Sequence, residues 1–124
     1  MKTLLTITEV GMLAYWALAA LMAAGALTIP PEYMYSDHLN PLIIAWNWSF
    51  LPIDIAFALC GLSARFGSLR NGKMLEIIGL TLMLCAGLMA ISFWAFLGAF
   101  DPMWWGVNLW LMGLACVGLL RLAK

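Results

Sequence analysis

Charge is scarce in this chain. Of its 124 residues 10% are charged, six basic and six acidic, against 65% hydrophobic. A soluble domain averages nearer half apolar and about a quarter charged, so an ordinary water-facing surface is excluded. The net charge is zero, and nothing in it suggests nucleic acid or a polyanionic partner. Cysteine is thin as well. Cys60, Cys85 and Cys116 fall singly on three apolar segments with no C-x-x-C pair, which gives a thiol-redox enzyme or a thiolate metal site little support. They read as buried reduced thiols that pack as small apolar side chains. The single histidine, His38, stands near Asp37 and Glu32 in a spacing that matches no metal motif. Phosphate loop, nucleophile elbow, zincin helix and paired acid/base constellation are all missing. No catalytic residue, metal or cofactor is assigned.

What the chain does have is long apolar runs. Runs of eighteen or more apolar residues argue for membrane-spanning helices, since about 20 residues at ~1.5 Å each cross a ~30 Å hydrocarbon core. Lipid leaves the backbone no water to bond, which favours helices over strands. Breakers and charges divide the sequence into four segments, residues 4–28, 41–64, 73–99 and 102–122, within one domain spanning 1–124. The first could be mistaken for a signal peptide, with Lys2 as n-region and Ala23-Ala24-Gly25-Ala26 as cleavage site. Glu9 interrupts it early and Val10 to Thr28 is long for an h-region, so it reads as a retained helix. The expected architecture is an all-α integral membrane four-helix bundle.

Orientation follows from charge. Lys2, Arg65, Arg70, Lys73, Arg121 and Lys124 all fall on one side of this scheme, and Glu32, Asp37, His38 and Asp101 on the other. The positive-inside rule then places both termini in the cytoplasm, in a bacterial inner membrane. Tyr33, Tyr35, Trp46, Trp48, Trp94, Trp104, Trp105 and Trp110 lie toward the outer side, where an interfacial aromatic belt accounts for most of them. There is a repeat signal too. Asn40-Pro41 with Asn47, and Asp101-Pro102 with Asn108, each pair an N-cap and first-turn proline with an asparagine two turns on. Two helical hairpins in the same orientation, or chance recurrence in a Trp-rich chain, account for this equally well.

One acid stands out. Asp54 lies mid-segment, two residues after Pro52, and such residues face a protein interior or an aqueous cavity and often serve a function. Asn40, Asn47, Asp54 and Gly61 recur every seven residues, so they share one stripe. Asp54 is ~21 Å below the outer cap and ~16 Å above Arg65, beyond that side chain's reach along the helix. It therefore needs a proton, a neutral donor or a bound cation, and Tyr15 at similar depth is a candidate donor. Pro52 should free the Trp48 carbonyl and bend the helix, with Ser49 placed to satisfy that carbonyl. The candidate ligand- or proton-binding set is Asp54, Asn47, Asn108, Tyr15 and Trp48. For Asn47 and Asn108, interhelical amide bonds suffice as an explanation. Glu9 and Glu76 read as interfacial, and Gly11, Gly79, Gly87, Gly106 and Gly113 as close-packing positions.

Residues 45–54, Ala-Trp-Asn-Trp-Ser-Phe-Leu-Pro-Ile-Asp, with Gly61-Leu62, resemble the signature of the YvaD-like small bacterial membrane proteins. Residues 90–94 and 100–109 are similar to that family as well, and the likeness runs from Pro30 to Leu109. It implies a fold and supplies no chemistry. A comparison with small multidrug carriers, which have four short helices and an acid in the first, is architectural only, because that acid lies deeper than Glu9. Three classes remain: a small-ligand or proton-linked binding or carrier protein centred on Asp54; an accessory or structural subunit of a membrane complex; and an intramembrane enzyme, which would need a second titratable group at the depth of Asp54. Four such helices enclose little room, so a carrier would work as a homodimer, whereas an accessory subunit would pack on another membrane protein or a second copy.

Overall fold

In a computed structural model, which describes residues 1–30, 33, 37–68 and 70–124, the chain forms five α-helices, with no strand among the described residues. They are α1 (Lys2–Ala23), α2 (Pro41–Trp48), α3 (Leu51–Phe66), α4 (Gly72–Leu97) and α5 (Pro102–Leu122). Helices α2 and α3 follow one another in a single apolar segment, so four segments are long and apolar enough to cross a membrane. The four-segment reading holds, with the first and third segments ending earlier than expected, the second running on to Phe66, and one interruption.

The ends are set by backbone chemistry that hydropathy does not register. Helix α1 stops at Ala23 although the apolar run continues to Thr28. Gly25 takes φ +72° and donates to the Met22 carbonyl, while Ala26 donates to Leu21. That pairing closes the last turn and requires a left-handed residue, a conformation only glycine adopts without strain. Gly98 ends α4 the same way at Leu97, two residues before the expected Ala99. At the other ends, the Asn40 side chain accepts from Leu42 N, and the Asp101 side chain from Met103 N and Trp104 N, each with proline in the first helical turn. Both expected caps are in place.

The interruption lies at Ser49 and Phe50. Pro52 has no N–H to give the Trp48 carbonyl, and the turn tightens instead, with Phe50 N donating to Asn47 O at 3.1 Å. Both linking residues keep right-handed helical dihedrals, so the segment narrows without reversing. The Ser49 hydroxyl donates to the Trp46 carbonyl at 2.6 Å, an i−3 bond to a carbonyl two positions before that of Trp48. The expected Ser49–Trp48 pairing is therefore replaced by a longer backward reach that a serine on a helix makes readily.

The helices run up and down. Helix α1 packs on α3, α3 on α4, and α4 on α5, while α1 and α5 form no comparable interface. Glycines set the close approaches. A Cβ at Gly79 would stand 3.1 Å from the Phe57 carbonyl, and one at Gly87 2.8 Å from that of Asn108. Gly11, Gly106 and Gly113, expected to pack as closely, have nothing within 4 Å and face outward or into a groove. The core divides in two. Leu5, Phe57, Leu80, Met83, Leu111 and Leu114 fill the end where the basic residues gather. Trp16, Phe50, Ala86 and Ala90 fill the other, with Trp46, Trp48 and Trp104 against them. Trp46 stacks on Phe93 at 4.1 Å and Trp94 is buried, so these rings form an interior cluster where an interfacial belt was expected. Trp110 and Tyr33 stay exposed, and Tyr35 lies outside the described residues. Cys85 and Cys116 lie exposed on the outer faces of α4 and α5 and Cys60 is half-buried, which corrects the reading of buried thiols. On a bundle whose outside is as apolar as its inside, a small apolar side chain has no reason to prefer the core.

Candidate functional site

The polar stripe of the second segment faces α1. Asn47, Asp54 and Gly61 are all buried, and each meets an α1 side chain. Tyr15 Oη donates to Asn47 Oδ1 at 3.2 Å, Trp16 Nε1 donates to Asp54 Oδ2 at 2.9 Å, and the Glu9 carboxylate lies against Gly61. Antiparallel packing orders these three contacts along the interface. The donor to Asp54 is thus Trp16, and Tyr15, expected in that role, serves Asn47 instead. Both outcomes follow from one geometry, because adjacent positions on α1 point to different heights of the facing helix.

Asp54 is 5% exposed, and among the described residues no cation stands against it. Among the described residues its side-chain donor is the Trp16 indole, a neutral N–H that brings no positive charge. Asn108 is buried on α5 and donates its amide nitrogen to the Trp104 carbonyl of its own helix at 2.8 Å. Among the described residues the interhelical bond expected of it is absent, whereas Asn47 makes one. That bond uses one of the two N–H groups of Asn108 Nδ2.

These groups line one groove between α1, α2 with the start of α3, and α5. Its volume is about 890 Å³, which lies within the ~300–1,000 Å³ of small-molecule sites. Asp54, Asn47, Asn108, Tyr15 and Trp48 all line it, so the structure brings together every candidate residue of the sequence reading. Trp16 and Trp104 add two further rings, with Trp16 and Trp48 centred 5.5 Å apart. Met12, Phe50 and Leu111 form apolar walls, and His38 lies at one edge. The groove follows the seam where α1 and α5 do not pack closely. Across that seam Trp110 Nε1 donates to Thr8 Oγ1 at 3.0 Å. Of the outer acidic pair near His38, Asp37 accepts from Asn40 Nδ2, and Glu32 lies outside the described residues.

A second polar centre went unread in the sequence. Glu9 is 2% exposed and forms an ion pair with Arg65, whose Nε also donates to Thr6 Oγ1 at 3.2 Å. Glu9 is therefore a buried partner and not an interfacial acid; Glu76, half-buried near the start of α4, acts electrostatically on the same arginine. The signal was present. Glu9 lies two turns inside the first segment and Arg65 at the end of the second, and an antiparallel hairpin brings those heights together.

The model of the family of unknown function DUF5360 matches residues 1–124. The chain is also similar to the uncharacterized protein YvaD of Bacillus subtilis (strain 168), 37% identical over 115 residues that cover 90% of this chain and 83% of that one. No solved structure matches it.

Proposed function

We propose that this chain, which belongs to the YvaD-like family of unknown function DUF5360, crosses a bilayer four times and holds a small ligand or a proton at Asp54. The membrane reading rests on four apolar segments and on a bundle surface covered with exposed Leu, Ile, Val and Phe, among them Phe96 at 93%. Water-soluble monomers do not carry a coat of that extent. All six basic residues gather at one end of the up-and-down bundle, which supports cytoplasmic termini in a bacterial inner membrane.

The observation that carries the function is the groove itself. A carboxylate, two asparagines and several rings line one cavity, and among the described residues the carboxylate has no counter-charge. A group so costly to keep in an apolar site is retained for what it does there. The protein then acts as a binding or carrier protein, with lateral access along the α1–α5 seam. A second reading, an accessory or structural subunit, draws support from Gly106 and Gly113, which leave flat outward surface on α5 for another helix. An enzymatic role would need a second acid or base beside Asp54, and Asp54 is the only carboxylate among the described lining residues.

Asp54→Asn separates the readings. An amide oxygen still accepts from Trp16 Nε1, so the hydrogen bond survives while the charge goes. For a binding site, purified Asp54→Asn should unfold at the same or a higher temperature than wild type in one detergent. A strong loss of stability would mean the carboxylate is structural, and the subunit reading would lead.

A further inference from the structure

The ligand reading leaves its chemistry open, and the lining of the groove narrows it. We propose that the groove takes a small organic cation, an ammonium bearing apolar or aromatic substituents. This rests on the reading of the Asp54 groove as a ligand site.

Three features support that class. The first is sign. Among the described residues that line the groove Asp54 is the only acid, and neither Lys nor Arg is among them. An anion would face an unscreened carboxylate there, and a neutral ligand would bury it without compensation. A cation removes both penalties. The second is the rings. Tyr15, Trp16, Trp48 and Trp104 line the same space as the carboxylate, and the faces of such rings attract cations most strongly when water is excluded. The third is hydrogen-bonding polarity. Trp16 Nε1 occupies Asp54 Oδ2 and leaves Oδ1 of the carboxylate as an acceptor, which suits the N–H or polarised C–H groups of an ammonium. The Asn47 and Asn108 amides are neutral partners that keep N–H groups, since Tyr15 occupies Asn47 Oδ1 and the Trp104 carbonyl takes one of the two Asn108 N–H groups.

The same lining argues against a bare metal ion. Hard cations such as calcium take about 6–8 oxygen ligands, and this groove offers few oxygens and mostly carbon. A cavity of about 890 Å³ is also far larger than a single ion needs. Size, ring content and the single charge fit an organic guest.

The test uses the full chain in nanodiscs of zwitterionic lipid, isotopically labelled so that the indole N–H signals of its seven tryptophans are resolved. Three probes of nearly one shape are titrated: benzyltrimethylammonium, its uncharged carbon isostere neopentylbenzene, and the anion benzylsulfonate. Assignment of the Trp16 signal comes from Trp16→Phe. The expected result is a saturable shift of the Trp16 indole, with Trp48 or Trp104, for the cation, and binding about tenfold or more weaker for the other two probes and for the cation with Asp54→Asn. If the neutral or anionic probe binds as well as the cation, the groove is a ligand site that does not select charge, and this inference falls while the function reading stands. If none of the three shifts these signals, this inference falls together with the ligand half of the function reading, and the unfolding of Asp54→Asn decides the proton half. Should Asp54→Asn lose its wild-type spectrum, the ranking of the three probes on wild type decides alone.

Discussion

A single methyl group at Gly61 should unlock the buried ion pair. A Cβ built there would overlap the Glu9 carboxyl and stand 3.1 Å from Arg65 Nη2. Glu9 ends a flexible side chain, and in water it would simply swing aside. Here it is 2% exposed, and the Arg65 side chain is 5% exposed, so any retreat takes the carboxylate from its counter-charge. Overpacking alone costs about 1–3 kcal/mol, and breaking a buried pair costs about 3–5 kcal/mol. Gly61→Ala should therefore destabilise the protein by about 3 kcal/mol, between those two limits. The mechanism is separable from the size of the effect. In a Glu9→Ala background the carboxyl is gone and the methyl has room, so Gly61→Ala should add no more than about 0.5 kcal/mol, leaving a coupling of about 2 kcal/mol or more. Reversible unfolding in mixed micelles of rising SDS fraction, followed by circular dichroism, gives all four corners of the cycle. Equal costs in the two backgrounds would refute the argument. Gly61 would then be required only for the approach of α4, where a Cβ on Gly79 already comes within 3.2 Å of Gly61 N.

Two further outcomes follow from the caps and the thiols. Asp101→Ala removes the acceptor of two first-turn N–H groups of α5 and should cost about 0.5–2 kcal/mol, whereas Asp101→Asn keeps an acceptor oxygen and should cost less, both read by the same unfolding assay. Cys85 and Cys116 are free and exposed on the outside of the bundle. In bilayers they should react slowly with a water-soluble maleimide and quickly once SDS is added, because an apolar setting suppresses the thiolate. Rapid labelling in bilayers would place those helix faces in water and undo the membrane reading.

Much of the site could be read from one helix. The seven-residue recurrence of Asn47, Asp54 and Gly61 defines a face, and the face is what the structure buries against α1. Asn108 was reached by analogy with Asn47, and both do line the groove, yet they bond differently: one across to Tyr15, the other back to its own helix. The repeat signal has the same limit. Both N-caps form alike, but α5 continues unbroken where the second segment narrows at Ser49, and the position seven residues after Asn108 is Ala115, a buried core residue. If the hairpins share an origin, only one kept an acid.

Four apolar segments, the N-caps Asn40 and Asp101 and the gathering of basic charge at one end were legible in the sequence. These are local or summed properties: hydropathy over about 20 residues, an N-cap beside a proline, and the sidedness of six charges. Tertiary structure alone decided which donor meets Asp54, that Glu9 and Arg65 pair, and that a groove opens between α1 and α5. Each depends on the relative rotation and height of two helices, and small-residue approaches such as Gly61 and Gly79 set those values. A rotation of one residue, about 100° on a helix with 3.6 residues per turn, separates Tyr15 from Trp16, and with it the partner of Asn47 from the partner of Asp54.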